Sequence, residues 1–315
     1  MNTEELAQAL SGVLGGTAVS GIRQLSGGAS RETWQFESDG RPLILQRQRA
    51  GDSRDMAAEV SVLRAAHDGG VRVPTVIAAS ADAPAHALGA SFMILSYVEG
   101  ETIARKILRD ATFTQARMRL TGDCAESLAR LHAIDPSKAP GILAVDQLEQ
   151  YRTVLDTLGR PHPTFELAFR WLANNRPSTP RTCLVHGDFR LGNLMVDPQG
   201  LRAVLDWELA HVGDPLEDLG WLCVKAWRFG SAEPVAGVGG YDEFFAAYSD
   251  AAGLEVDPDA VRWWEVMGTL KWGIMCIMQA NVHLSGASRS HELAAIGRRV
   301  CENEHDLFLA LEGRW

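Results

Sequence analysis

The sequence predicts an α+β chain in two lobes: a small antiparallel β-rich lobe over residues 1–97 and a large helical lobe over residues 98–315, with a cleft between them. Three observations predict it. Strand-like runs crowd the first part of the chain, helical spacing dominates the rest, and one β-rich stretch at 183–207 interrupts the helices. At 315 residues the chain can bury two cores.

Residues 3–14 read as a short amphipathic helix. Strand-like runs follow at 22–25, 33–36 and 42–46, broken by Ser26-Gly27-Gly28 and Ser38-Asp39-Gly40, both of which have turn chemistry. A helix over about 53–67 carries Met56, Val60 and Leu63 at helical spacing. Pro74 opens another strand, and 92–98 forms a further one ending at Glu99-Gly100. Helical patterns then cover 113–132, 145–158, 165–174, 216–229, 241–252, 258–283 and 290–311. No Gly/Ser-rich linker marks the join near 96–100, so the lobes are expected to pack closely.

Composition narrows the function. Thirty basic against forty acidic side chains leave a net charge of −10, which argues against a nucleic-acid partner met by a broad basic face. Residues 98–315 carry 22 basic and 30 acidic side chains. No apolar run reaches the ~18 residues of a membrane span, and the opening Met1-Asn2-Thr3-Glu4-Glu5 does not read as a signal peptide. The five cysteines, Cys124, Cys183, Cys223, Cys276 and Cys301, include no Cys-x-x-Cys pair. Reduced thiols and a cytoplasmic location are expected, with neither a disulfide scaffold nor a zinc site. The oligomeric state is left open.

The informative segment runs from Leu184 to Val196. An apolar strand delivers His186 and Asp188 into a tight turn, Asn193 lies five residues on, and Asp206 ends a later strand just before Trp207 and Glu208. Two carboxylates and an amide converging from neighbouring β elements suit phosphoryl transfer. One carboxylate orients a hydroxyl and accepts its proton, while an amide oxygen and a second carboxylate hold Mg²⁺ on nucleotide phosphates.

This segment resembles the Brenner motif of the aminoglycoside phosphotransferase and choline kinase superfamily, relatives of the protein kinases. His186-Gly187-Asp188 with Asn193 stands where kinases carry His-Arg-Asp with Asn, and Leu205-Asp206-Trp207-Glu208 stands where they carry Asp-Phe-Gly. Gly213-Asp214-Pro215-Leu216-Glu217-Asp218-Leu219 also resembles the family's pattern. Bacterial phosphotransferase-family proteins, similar to the kinase-like domain fused to some acyl-CoA dehydrogenases, resemble the chain most, over nearly its whole length. The resemblance implies a protein-kinase-like bilobal fold and an ATP- (or GTP-) and Mg²⁺-dependent kinase acting on a small-molecule hydroxyl. Asp188 is then the catalytic base, and Asn193 and Asp206 are metal ligands. His186 bonds backbone near Asp206. Asp218 either bonds the catalytic-loop backbone or simply favours a helix N-terminus.

In the small lobe, Ser26, Gly27, Gly28, Ala29 and Ser30 occupy the place of a phosphate-covering loop. Arg31, where relatives tend to carry Asn, either touches a phosphate or faces water. The strand at 43–47 should supply a phosphate-gripping lysine, yet it offers only Gln46 and Arg47, which alternation puts on opposite faces. The charged Arg47 is the expected choice, paired with Glu59. Ser96 and Val98 fall where backbone would meet a nucleobase. Glu208, Arg228, Lys271 and Arg289 are candidate substrate contacts. Two acceptors compete, a hydroxyacyl-type metabolite and an aminoglycoside-like compound, and a nucleotide-binding pseudokinase acting as a regulatory module is the rival function.

Overall fold

The computed structural model describes residues 1–26, 31–49, 55–81, 88–178 and 181–314. Gly27 to Ser30, part of the expected phosphate-covering loop, lie outside the described residues.

The small lobe opens with helix α1 (Thr3–Val13), started by a reciprocal capping box between Asn2 and Glu5. Strands β1 (Val19–Ser26), β2 (Arg31–Ser38) and β3 (Arg41–Gln48) follow, then α2 (Met56–Asp68), β4 (Val76–Ser80) and β5 (Phe92–Ser96). They form one antiparallel sheet in the order β1-β2-β3-β5-β4. Alternation sorts its faces. Phe36, Leu43 and Leu45 join Leu6 and Leu10 of α1 in a core on one side. The opposite face, carrying Thr33, Ile44 and Gln46, looks into the cleft.

The large lobe contains α3 (Ala104–Arg109), α4 (Thr114–His132), α5 (Gln147–Leu158), α6 (Pro163–Asn174), α7 (Leu216–Cys223), α8 (Tyr241–Ala252), α9 (Pro258–Leu284), α10 (His291–Gly297) and α11 (Val300–Leu311). Four short strands sit among them. β6 (Cys183–Val185) pairs with β9 (His211–Gly213), and β7 (Leu194–Asp197) with β8 (Gly200–Val204). Helix α3 is too short to announce itself by periodicity.

Two expected long helices are broken, each for a visible reason. The helix expected over 216–229 stops at Cys223, whose carbonyl accepts bonds from Arg228 Nε at 3.1 Å and Nη2 at 2.9 Å. That carbonyl is satisfied by a side chain instead of another helical turn. The helix expected over 290–311 splits at Gly297, which packs so tightly on α9 that a Cβ there would lie 2.6 Å from that of Ala280.

A backbone bond joins the lobes: Val204 N donates to Arg72 O at 2.8 Å. Just past the join, Glu101 is tied into the large lobe by N–H···O bonds exchanged with Val196 at 2.8 and 3.0 Å. The apolar face of α2 belongs to the main core together with α4, β7 and β8, so the sheet is anchored to the large lobe through its own helix. No helix among the described residues is long and apolar enough to cross a membrane.

One buried group is held at a cost. Glu265 of α9 is 1% exposed, and neither of its carboxyl oxygens has a hydrogen bond of good geometry among the described residues. Burial pushes its pKa up to about 7, only partly offset by the nearby Tyr241 hydroxyl and Arg228 guanidinium. The folded chain therefore keeps a proton that the unfolded chain loses near pH 4.5, and stability falls as pH rises from there through about 7. Glu265→Gln should stabilise the protein at pH 8 by about 1–3 kcal/mol and flatten that slope. Urea denaturation at pH 5 and pH 8 checks it; identical slopes in the two proteins would contradict the assignment.

Candidate active site

The site is built on the turn that follows β6. Asp218, at the start of α7, accepts from His186 N at 2.8 Å on Oδ2 and from Gly187 N at 2.9 Å on Oδ1. His132 Nε2 reaches the same Oδ2 at 3.2 Å, and its other ring nitrogen meets the Tyr248 hydroxyl at 2.7 Å. Burial opposes the charge of Asp218, but the hydrogen bond and charge of His132, then of His186, hold its pKa below the usual value. Gly187 has φ +76°, and a Cβ there would stand 2.5 Å from Leu209 O, so only glycine fits this turn.

His186 ties the turn to the strand end that carries Asp206. Its Nδ1 accepts from Asp188 N at 3.1 Å, which places the ring proton on Nε2, and Nε2 donates to Leu205 O at 3.0 Å. Burial lowers its pKa, so the ring is neutral, as that tautomer requires. The Trp207 ring lies 4.6 Å from it.

Asp188 is fixed from three sides. Oδ1 accepts from Arg190 Nε and from Trp221 Nε1, both at 2.9 Å, and Oδ2 accepts from Asn193 Nδ2 at 2.6 Å. The same Nδ2 donates to Asp188 O at 3.0 Å, which turns the Asn193 amide oxygen away from Asp188. Asn193 O accepts from Leu205 N at 2.8 Å, linking the two chain segments again.

Asp206 sits at φ +62°, an unusual backbone for a residue other than glycine. Water reaches its carboxylate, yet protein surrounds it on most sides. Burial first, then Glu208, Asp188 and Glu59, push its pKa up, with Arg31 opposing. Several carboxylates around one guanidinium form a set of hard oxygen donors with charge left to neutralise, and this fits Mg²⁺. The described residues contain no cage of three or more His, Cys, Asp or Glu side chains. Mg²⁺ commonly binds through one or two protein groups plus phosphates, so this site suits it.

Asp206 also floors a narrow cavity of about 180 Å³ between the lobes. Apolar Ile44, Leu63, Met93 and Val204 line it, and Glu59, Ser96 and Val98 border it. Such a slot suits a flat, apolar-faced ring with a polar tail directed toward Asp206.

Two expected contacts, Arg47 and Lys271, are corrected, and the places of the others are as follows. Arg47 does not enter the cleft: it lies opposite Glu32 in the β2–β3 register, on the α1 side of the sheet, and pairs with Glu32 at 2.8 Å. Gln46 is the residue of that pair that lines the cavity, and Glu59 is bonded by Arg31 instead. Lys271 is 2% exposed and spent on structure, donating to Gly187 O at 2.8 Å and to Glu217 at 3.3 Å while standing over the Trp221 ring. Arg228 closes the end of α7 and also lines a second cavity. Arg289 lies in the turn after α9, beside a separate surface cavity with His283 and His291.

Sequence reasoning overlooked Arg190 and Trp221 as holders of Asp188. Arg190 could have been found from its place two residues beyond Asp188. Trp221 could not, because only the packing of α7 brings it near.

A second, larger cavity of about 1020 Å³ opens beside α3, the turn after α7 and α11. Arg105, Lys225, Arg228, Arg299 and His305 line it against only Glu302 and Asp306. The Trp227 ring, in that same turn, lies 4.5 Å under the Arg190 guanidinium and so adjoins the Asp188 turn.

Comparison with known proteins places these features. The model of the phosphotransferase enzyme family matches residues 21–264. Acyl-CoA dehydrogenase family member 11 of Gallus gallus is 29% identical over 219 residues, 64% of this chain and 27% of that protein. Family member 10 of Mus musculus is 28% identical over 262 residues, 74% of this chain and 23% of that protein. The chain thus spans about a quarter of the length of these curated relatives. Among solved structures, the GDP complex of an aminoglycoside 2'-phosphotransferase-IIIa variant superposes with a TM-score of 0.70 at 14% identity, covering 98% of this chain and 99% of that one. The architecture is the protein-kinase-like fold of the aminoglycoside phosphotransferases, and the chain belongs to the phosphotransferase enzyme family.

Proposed function

We propose that this phosphotransferase moves the γ-phosphoryl group of ATP or GTP, with Mg²⁺, to a hydroxyl of a small molecule. The observation that carries the reading is the convergence of Asp188, Asn193 and Asp206: Asp188 and Asn193 are bonded to each other, and Leu205, next to Asp206, is bonded to Asn193 and His186. The nucleobase takes the apolar slot beside Ser96 and Val98, and the phosphates run outward toward Ser26 and Asp206. Asp206 and the amide oxygen of Asn193 would hold Mg²⁺, which supplies neutralising charge at the phosphates.

Asp188 Oδ2 accepts one hydrogen bond, from Asn193, and has room for another donor. That donor is the acceptor's O–H. As the acceptor oxygen bonds to the γ-phosphorus and the bond to the β-phosphate oxygen breaks, the hydroxyl proton passes to Asp188. Arg190 and Trp221 hold the carboxylate in the orientation this needs. His186, neutral and bonded on both nitrogens, keeps the turn in shape and carries no proton.

For the acceptor, the second cavity favours a compound with an anionic part. It concentrates cations in a chain whose net charge is −10, and it adjoins the Asp188 turn through Trp227. A hydroxyacyl-type acceptor suits that lining better than a polycationic amino-sugar. Release of nucleoside diphosphate, measured over hydroxyacyl-CoAs, hydroxy acids and kanamycin, tests the reading. Nucleotide binding with no turnover across such a panel would favour a pseudokinase module.

Asp188→Asn should abolish transfer, by about 10²–10⁴-fold in kcat, while Mg·ATP affinity changes little. Turnover within about threefold of the unaltered enzyme would remove Asp188 as the base. Asp206→Ala should eliminate the Mg²⁺-dependent part of ATP binding, and Asn193→Ala should weaken it less, because an amide ligand brings no charge. Calorimetry with and without Mg²⁺ separates the two; unchanged affinity in Asp206→Ala would move the metal elsewhere.

A further inference from the structure

The kinase reading needs a cation against the nucleotide phosphates, and β3 does not supply one. Residues 1–97 contain no lysine at all, only eight arginines. Of the arginines among the described residues, Arg31 is the one bonded to residues that line the cleft cavity. We propose that Arg31, from β2, is the phosphate-binding cation of this site, held in place by Glu59 of α2 and by Gln46 of β3.

Sheet geometry puts it there. Thr33 of β2 faces Gln46 of β3 in register, and both line the cavity. Arg31 is two residues before Thr33, so it shares the cleft face, at the first residue of the strand. Its Nη1 donates to Glu59 Oε1 at 2.7 Å and to Gln46 Oε1 at 3.3 Å, and its Nη2 pairs with Glu59 Oε2. The side chains of Arg31 and Glu59 are only 9% and 5% exposed. Gln46 therefore does not replace the lysine: its amide oxygen accepts from the arginine that does.

Two further observations point to a ligand. The Nε–H of Arg31 is buried with no hydrogen-bond acceptor among the described residues, although both terminal nitrogens of the guanidinium are bonded. A buried, charged donor left unpaired is costly unless an acceptor arrives. Asp206 and Glu208 also lie near enough for their charges to act on Arg31. Burial opposes its charge, but Glu59, Glu208 and Asp206 together hold its pKa above the ordinary value. The free donor thus belongs to a permanent cation beside the carboxylates that would carry the metal. A phosphate oxygen between that cation and a metal on Asp206 would satisfy both.

This rests on the nucleotide reading, and the test separates the two. Calorimetry on the full chain measures Mg·ATP, Mg·GTP and adenosine. Arg31→Gln should weaken the preferred Mg·nucleotide by about 10–100-fold, the loss expected for charge-assisted hydrogen bonds, and leave adenosine within about twofold. Arg47→Gln should leave both unchanged. Because Arg31→Gln strands the buried Glu59, the neutral pair Arg31→Gln/Glu59→Gln is measured beside it, with the same selective loss expected. Adding Gln46→Lys to Arg31→Gln should recover part of the lost affinity by returning a cation to β3. If the Arg31 variants bind Mg·nucleotide as the unaltered chain does, or lose nucleotide and adenosine together, Arg31 is a structural residue and the proposal is wrong. If the unaltered chain binds neither nucleotide, the kinase reading itself fails and takes this one with it.

Discussion

The Asp218 carboxylate is the interaction on which the site depends. It accepts the N–H groups of two consecutive residues, His186 and Gly187, in a turn that no sheet or helix can satisfy. A buried carboxylate with two backbone donors and a histidine is stable as an anion only while all three remain in place. Every other placement follows from it. Fixing 186–187 aims Asp188, the His186 ring then reaches Leu205, and Leu205 sets where Asp206 emerges. The large lobe reinforces the same turn from below through Lys271, whose ammonium donates to Gly187 O. The turn is held at its N–H groups by an anion and at its C=O by a cation.

The chemistry-bearing segment was legible in the sequence because it is local. His186, Asp188 and Asn193 lie within eight residues, and Asp206 follows on the next hairpin, so spacing alone predicts that they meet. The order of strands before helices gave the lobes for the same reason. What was not legible depends on register and on long-range packing. Alternation shows that Gln46 and Arg47 face opposite ways, but only the pairing of Glu32 with Arg47 shows which face is the cleft. Lys271 looked like a substrate cation because it lies among apolar residues. Its partner Gly187 O is a backbone atom that no side-chain pattern reveals.

The two cavities differ in polarity. The slot under the sheet is narrow and mostly apolar, whereas the space beside α11 is wide and rimmed by cations. Beside Asp188 and Arg190 lie the rings of Trp221, Trp227 and Trp272, tilted against one another with centroids 5.3 and 4.8 Å apart. That buried aromatic cluster holds the Asp188 carboxylate through Trp221 Nε1. It explains why so many tryptophans gather in the second half of the chain without forming a binding box of their own.

The lack of lysine in residues 1–97 reaches beyond phosphate binding. Reagents that carry an acyl group on a nucleotide mark their targets by acylating an amine beside the phosphates. A guanidinium stays protonated at any working pH and does not react in this way. Lys271, the amine closest to the catalytic turn, is sealed beneath it with its charge already committed. A survey of nucleotide-binding proteins by amine acylation would pass over this chain even with its cleft fully occupied, and silence in such a survey says nothing about its activity.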